Sequence, residues 1–515
     1  MPNQPKNNFY VTSPIYYVND IPHIGHAYTS VACDVIARFK RLCDYEVKFL
    51  TGTDEHGQKV EKAANARSLT PQAFTDELSE HFKSLTKLLN LSNDDFIRTT
   101  EERHKQAAQS LWNKLLANGQ IYLGSYAGWY SVRDEAFYNE NELVNGIAPT
   151  GAPVEWVEES SYFFKLSDWG DKLLEFYEKN PSFIKPDYRK NEVINFVKSG
   201  LKDLSISRTS FKWGIPIEQN EDHIMYVWLD ALTNYISAID YPNTESENFK
   251  KFWPADFHIV GKDILRFHAI YWPAFLMAAD LTPPKVVFAH GWWTNEGQKI
   301  SKSLGNTIDP VKLIEEFGLD QVRYFLMREI PFGNDGNYSR NSMINRINSE
   351  LSNNIGNLAQ RTLSMIFKNC EGKIPELNVS ISDLYNDIDL LKELKSKIEK
   401  YSNYMEKLDF SLALEVIMSI ATEANIFIDQ QAPWTLAKTD KDSMSKVLYI
   451  LAETIRNIAI CLQPFMPNAA DKMLDQLLIE KNERSFEHLT SKYALKHGSI
   501  IEAPKAIFPR FENAS

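Results

Sequence analysis

The segment GQKISKSLGN, residues 297–306, sets Lys299, Ser301, Lys302 and Ser303 between Gly297 and Gly305. Ammonium groups on a glycine-bounded loop suit a polyphosphate, because they bring positive charge to where negative charge grows in a transition state. Most lysine–serine loops are only solvated surface, so the segment needs a partner elsewhere in the chain. PHIGH, residues 22–26, offers one. Pro22 favours a helix start, and Gly25 lets a planar group approach the backbone. His23 and His26 then stand on one side of a helix N-terminus, an end whose N–H groups and dipole already favour anions. Taken alone, the pair reads equally well as capping or surface histidines.

Such residues need a frame. FYVTSPI (9–15) is rich in β-forming residues and precedes PHIGH. After Pro22, Val31, Val35, Phe39 and Leu42 recur at spacings of three and four, which predicts a helix. EVKFL (46–50) reads as a second strand running into TGTDEHG, a polar carboxyl edge of the kind where doubly wound sheets hold ligands. Helical patterns continue over 73–118. From 119 to 222 the texture turns aromatic and turn-rich (YLGSYAGWYSVRDEAFY, PTGAPVEWVEESSYFF) and stops extending a βαβ series, so an insertion is expected. DFHIV (256–260) and KVVFAHG (285–291) resume the strands, and the lysine loop follows. Leu/Ile spacings over 340–370, 385–408, 411–429, 443–463 and 467–480 predict a helical bundle. The expected architecture is an α/β Rossmann-like parallel-sheet domain with an inserted connective domain, followed by an all-α bundle. Its expected segments are 1–118, 119–222, 223–320, a linker at 321–350, and 351–515.

Composition narrows the function classes. A chain of 515 residues exceeds one ordinary core, and 43% hydrophobic with 24% charged residues is ordinary for a globular protein. The net charge of -12 argues against a non-specific nucleic-acid binder and leaves room for local basic patches. MPNQPKNNFY has no apolar core, and apolar runs such as IYWPAFLMAA are too short to span a bilayer, so neither a secretory signal nor a membrane span is expected. Cys33, Cys43, Cys370 and Cys461 are scattered and form no CxxC pair, which reads as reduced thiols in a cytoplasmic compartment.

An HxGH opening the first helix, paired with a KxSKS after a late strand, resembles the signature of class I aminoacyl-tRNA synthetases. YVTSPIYYVNDIPHIGHAY, FLTGTDEHGQK, YVWLDALTNY, GKDILRFHAIYWPAFL and GQKISKSLGN are similar to the blocks of the methionyl-tRNA synthetase family, and the similarity runs over nearly the whole chain. The resemblance implies activation of L-methionine by ATP and Mg²⁺ to methionyl-AMP, then transfer to tRNA(Met), initiator and elongator. It implies that His23, Gly25, His26, Lys299, Ser301, Lys302 and Ser303 meet ATP, with His23, His26, Lys299 and Lys302 carrying the catalysis. It implies a methionine pocket of Ile15, Tyr17, Asp54, Trp228, Ala231, Leu232, Tyr235, Ile264 and His268, with Arg208 supporting Asp54. That set suits an unbranched thioether, which gains from aromatic contact, and an α-ammonium, which gains from a carboxylate. By the same resemblance Asn357, Arg361 and Trp434 read the CAU anticodon, whose unstacked bases suit an indole and exposed polar edges. LQPFMPNAADKM (462–473) is expected to pack, not to contact RNA.

Two departures from the family pattern shape further expectations. Many relatives carry one or two CxxC zinc knuckles in the insertion, where this chain has Ser131 and Asp134 and no cysteine between Cys43 and Cys370. A four-thiolate site is impossible there, so no metal and no structural zinc is expected. An insertion held by Tyr126, Trp129, Tyr130, Phe137 and Tyr138 is expected instead. The chain stops at Ser515 without the β-barrel module that some relatives use to dimerise, so a monomer is expected. The rivals are a class I enzyme for leucine, isoleucine, valine or cysteine, and a non-catalytic tRNA-binding paralogue. The short insertion disfavours the branched-chain enzymes, the missing zinc ligands disfavour the cysteine enzyme, and intact PHIGH and KISKS disfavour the paralogue.

Overall fold

Six strands make the main sheet. In chain order they are β1 Asn8–Tyr17, β2 Glu46–Asp54, β3 Asp95–Arg98, β4 Ile184–Lys185, β5 Phe257–Gly261 and β6 Val287–His290. They lie side by side as β3-β2-β1-β5-β6-β4. Val11 faces Phe257, His258 faces Val287, Val287 faces Ile184 and Leu50 faces Asp95, all in parallel pairs. The chain winds outward from β1 to β3, crosses to β4 at the opposite edge, and then enters β5 beside β1. The β1/β5 boundary is therefore the switch point at which such sheets bind ligands beyond their carboxyl ends. The computed structural model describes residues 7–18, 22–134, 136–138, 140–300 and 305–512.

The strands expected from the sequence are present with shifted ends. β2 continues past EVKFL to Asp54, so Asp54 is a strand terminus and not a loop residue. Residues 9–14 of β1 are buried without alternation, as in a sheet covered on both faces. Two strands escape a sequence reading because they are too short for a periodic signature. β3 is one, DFIR, between helices Pro71–Leu88 and Glu102–Ala117. β4 is the other, an edge strand that lies inside the stretch 119–222.

Within that stretch a second sheet runs in the order Ala136–Tyr138, Ile121–Ser131, Glu155–Phe164, Leu204–Ser205, with antiparallel pairing. Trp129 faces Trp156, and the two indoles meet edge to face at 5.3 Å. Tyr130 is buried. A polar clasp lies beside these aromatics. Asp134 accepts hydrogen bonds from the hydroxyls of Tyr138 and Thr150, and Arg133 Nη2 donates to the Thr150 carbonyl at 2.7 Å. The Asp134 amide donates to Ser131 Oγ at 3.2 Å. Burial alone would raise the Asp134 carboxyl, but the hydrogen bonds from Thr150, Tyr138 and Arg133 hold it below its ordinary value. Side-chain hydrogen bonds thus join the turn after Ile121–Ser131 to the loop at Thr150, a role the aromatic expectation left out.

The residues form two compact units: Asn8–Pro22 with Val47–His290, and Met1–Asn7 with His23–Glu46 and Gly291–Ser515. The second unit holds helix Ile24–Leu42, the small sheet Gln298–Lys299, Trp293–Asn295, Gly336–Tyr338, and the bundle. Arg340–Arg346 passes through a wide π turn, Ile347–Gly356, into helix Asn357–Asn369. The bundle continues with Leu394–Glu406, Phe410–Gln431, Lys441–Leu462 and Pro467–Gln476. The stretch Phe410–Thr439 is long and apolar enough by composition to cross a bilayer. Here Phe410, Ala413, Leu414, Ile417, Ala421, Ala424 and Ile428 form its buried stripe, as in the core helix of a bundle. LQPFMP packs as expected. The buried Arg323 guanidinium donates to the Pro464 and Phe465 carbonyls and to the Asp34 carboxylate of helix Ile24–Leu42.

Candidate active site

His23 is not inside the first helix. It is the N-cap, with extended backbone, and Ile24 is the first helical residue. The Gly25 amide donates to His23 Nδ1 at 3.1 Å, and the His23 amide donates to His26 Nδ1 at 3.1 Å. This reciprocal pattern is a capping box built from two imidazoles, whose rings stack at 3.9 Å. Both Nδ1 atoms accept, so in the neutral rings both Nε2 atoms carry hydrogen and serve as donors. Burial, then the neighbouring His23, push His26 well below the ordinary histidine range, so its ring is neutral. The sequence opposed a capping role to an anion-binding role. The geometry allows both, one for each nitrogen. Gly25 also has a local reason: a Cβ there would lie 3.0 Å from His23 Cε1.

The lysine loop leaves a β-hairpin. Trp293–Asn295 pairs with Gln298–Lys299, and the turn residues Glu296 and Gly297 both have positive φ (48° and 79°), as a tight primed turn requires. Asn295 Nδ2 donates to the Asn306 carbonyl at 2.9 Å, and Asn306 Nδ2 donates to the Lys299 carbonyl at 3.0 Å. These bonds staple the two ends of the loop. Lys299 is exposed, with its ammonium 5.8 Å from the Trp292 ring centroid. Ser301, Lys302 and Ser303 lie outside the described residues.

The nine pocket candidates come from β1, the end of β2, helix Val227–Ser237 and the turn after β5. Asp54, Ala231, Leu232, Tyr235 and His268 are buried, whereas Ile15, Tyr17, Trp228 and Ile264 are partly buried against the same core. Two of them share a proton. His268 Nδ1 lies 3.0 Å from the Ile264 carbonyl, which can only accept, so Nδ1 carries the hydrogen. Nε2 must then accept from the Tyr235 hydroxyl at 2.7 Å. Burial lowers His268 to about 4, and the imidazole is neutral at physiological pH. A π turn, Phe267–Tyr271, carries this histidine. Tyr235 also stacks on His258 at 4.1 Å, and His258 Nδ1 lies 2.8 Å from Thr12 Oγ1 on β1.

Sequence reasoning missed Phe267, which lies flat on Trp228 with centroids 3.6 Å apart and planes 7° apart. It also missed His258 and Thr12. The aromatic run LRFHAIYW was the available signal for Phe267. Nothing in strand periodicity marks His258 or Thr12. Arg208 is buried and donates from Nη1 to Ser205 Oγ at 2.8 Å and to the Ser207 carbonyl at 2.6 Å, with its guanidinium 4.6 Å from the Tyr226 ring.

In the bundle, Asn357 and Arg361 share a face of helix Asn357–Asn369. Asn357 Nδ2 donates to Asn425 Oδ1 at 3.2 Å, and Arg361 Nη2 donates to Asp429 Oδ1 at 2.6 Å. The guanidinium lies 5.3 Å from the Trp434 ring, which is 44% exposed and therefore open to stacking. Among the described residues no group of three or more His, Cys, Asp or Glu side chains is placed to hold a metal ion.

A doubly wound parallel sheet, an HxGH that caps a helix and a KISKS segment that leaves a hairpin define a class I aminoacyl-tRNA synthetase. Comparison with known proteins narrows the class. The family described as "tRNA synthetases class I (M)" matches residues 9–154 and 141–363, and "Anticodon binding domain of methionyl tRNA ligase" matches 382–515. The chain is 64% identical to a methionine–tRNA ligase of Rickettsia felis, over 98% of this chain and 99% of that one. It is 51% identical to a methionine–tRNA ligase of Brucella suis, over 99% of each. It superposes on the Mycobacterium tuberculosis methionyl-tRNA synthetase in complex with methionyl-adenylate with a TM-score of 0.94 and 48% identity, covering 98% of this chain and 100% of that one. The chain belongs to the methionyl-tRNA synthetase family.

Proposed function

We infer that this chain activates L-methionine with ATP to methionyl-AMP and transfers the methionyl group to the 3′-terminal adenosine of tRNA(Met). The observation that carries the choice of amino acid is the wall formed by Tyr235, His268 and Trp228. It is neutral, aromatic and already hydrogen-bonded to itself, and it suits a polarizable thioether that brings no hydrogen-bond donor.

In the first step the methionine carboxylate attacks the α-phosphorus of ATP. A carboxyl O–P bond forms, the bond to pyrophosphate breaks, and no protein nucleophile takes part. Catalysis is then positioning and charge stabilisation. His23 and His26 would donate from Nε2 to phosphate oxygens, and Gly25, Ser301 and Ser303 would line the same anion. Lys302, with Lys299, would meet the charge that develops on the leaving pyrophosphate. Asp54, oriented by Arg208, would take the α-ammonium. Ile15, Tyr17, Trp228, Ala231, Leu232, Tyr235, Ile264 and His268 would enclose the side chain. Mg²⁺ would arrive on the ATP phosphates, since it keeps most of its waters and takes few protein ligands. In the second step a ribose hydroxyl of the terminal adenosine, the 2′-OH by class resemblance, attacks the adenylate carbonyl and releases AMP. Trp434 would stack on an anticodon base while Asn357 and Arg361 bond base edges, in initiator and elongator tRNA(Met) alike.

The five-part division of the chain, a monomeric state and a cytoplasmic location complete this reading. Amino-acid-dependent ATP–pyrophosphate exchange with all twenty amino acids tests it. Exchange with methionine alone is expected, and exchange with another amino acid would overturn the pocket. No exchange in a folded protein would favour a tRNA-binding paralogue. Lys302→Ala should slow exchange about a hundredfold, about 3 kcal/mol, with little change in methionine affinity.

A further inference from the structure

Below the methionine wall lies an enclosed group of titratable side chains with no role in the mechanism above. Asp230 follows Trp228 by two residues and precedes Ala231 on helix Val227–Ser237, and its side chain is 0% exposed. One carboxylate oxygen is 2.6 Å from His56 Nδ1 and the other 2.7 Å from His104 Nε2. Both contacts need an N–H on the imidazole, so each oxygen is held by its own donor. His56 follows Asp54 by two residues at the end of β2. His104 sits on helix Glu102–Ala117, and its Nδ1 is 3.0 Å from the hydroxyl of Ser237, the last residue of the Trp228 helix. Burial alone would raise the Asp230 carboxyl. Attraction from His56 and the hydrogen bonds from His104 and His56 bring it down to about 2.

The His56 loop is also anchored on its other side. The Gly57 amide donates to the Trp213 carbonyl at 3.0 Å, Trp213 Nε1 donates to the Glu55 carbonyl at 2.6 Å, and the indole meets the His56 ring edge-on at 5.4 Å. The loop therefore stays with Trp213 when the bond to Asp230 is lost, and the Trp228 helix is released from it. A simple hydrophobic contact would serve stability as well. A carboxylate bonded at both oxygens adds direction, because it fixes both the distance and the rotation of the helix that carries it.

We propose that His56, Asp230 and His104 form a positioning brace that sets the distance between the ammonium-binding Asp54 and the side-chain wall of Trp228, Ala231, Leu232 and Tyr235. None of the three touches methionine. The brace acts on amino-acid geometry and leaves ATP binding alone. The proposal rests on the pocket reading given above.

The test is ATP–pyrophosphate exchange with methionine and ATP varied separately. His56→Ala should raise the methionine KM about tenfold or more and leave the ATP KM within about twofold, since a small misplacement acts on the ligand it misplaces. His56→Asn places an amide N–H where Nδ1 was and should restore the methionine KM to within about threefold. If His56→Ala does not fold, His56→Asn is compared with His56→Gln, whose amide reaches the Nε2 position instead. Equal methionine KM in those two variants overturns the brace, as does an unchanged methionine KM or a parallel rise in both KM values in folded His56→Ala. Asp54→Asn, run alongside, separates the two readings. If it leaves the methionine KM unchanged, the pocket itself is wrong. If it raises that KM and His56→Ala does not, only the brace falls.

Discussion

The proposed methionine wall and the proposed anticodon surface at Trp434 use the same residue types in opposite ways. Around Tyr235 the polar atoms are spent within the protein: its hydroxyl goes to His268 Nε2, and His268 Nδ1 to the Ile264 carbonyl. Around Trp434 the groups face outward. Arg361 reaches Asp429 and lies near an indole that is 44% exposed. A small apolar ligand brings little surface of its own, so a pocket must be built and dried before it arrives. An anticodon base brings a large π-face and its own hydrogen-bonding edges, so an exposed ring and a few presented side chains suffice. On the proposed reading, precision is stored in the protein at one place and supplied by the ligand at the other.

Four measurements break or sharpen that contrast, and they differ in expected size. Asp54→Asn removes a charged partner from the built pocket. It should raise the methionine KM about a hundredfold, about 3 kcal/mol, in pyrophosphate exchange with the ATP KM unchanged. An effect below about threefold would mean the interior is not built for the ammonium. Acid comes second. His268 is neutral in the folded protein with its value lowered to about 4, so the unfolded chain binds a proton that the folded one refuses as pH falls below about 6.5. Stability present above that pH should be lost progressively toward pH 4, about 2 kcal/mol of it by pH 5, as read by urea unfolding at pH 7.5 and pH 5. His26 and His258, also lowered by burial, act with the same sign. Equal unfolding free energies at the two pH values would contradict a buried neutral wall.

Trp434→Ala belongs to the exposed side. Aminoacylation should fall by about 1–3 kcal/mol in kcat/KM for tRNA, the worth of one stacked base, with exchange and the unfolding midpoint unchanged. A loss of exchange or of stability would show that the indole is a packing residue. The smallest effect is expected for Tyr235→Phe, which keeps the ring and deletes the hydroxyl that donates to His268. The methionine KM should rise about fivefold, about 1 kcal/mol. A change equal to that of Asp54→Asn would make the hydrogen bond, rather than the ring, the organising element.

Legibility in the sequence followed spacing. PHIGH, the lysine loop and the blocks around Asp54, Trp228 and His268 could be found because their residues are adjacent or share one period. The bundle helices were legible for the same reason, since Leu/Ile stripes repeat over many turns. The two short strands carried no such signal, and neither did the pairing of Phe267 with Trp228, whose partners come from different elements. His56, Asp230 and His104 stood in view as single letters, and only their meeting gives them a meaning.

Local order and residue type thus determined the signature motifs, the bundle helices and the longer strands, the absence of cysteine pairs in the insertion and the resemblance to a family. These depend on neighbours within a few residues, which a one-dimensional string preserves. Only the folded structure decided which nitrogens of His23, His26, His268, His56 and His104 donate, that His23 caps the helix instead of entering it, and that Asp134 anchors a hydrogen-bonded clasp with Tyr138 and Thr150. Each is set by a specific hydrogen bond, some to groups distant in sequence and some to neighbours brought into line by the path of the backbone. Burial sets the strength of those bonds, because an unmet polar group costs most where water is excluded.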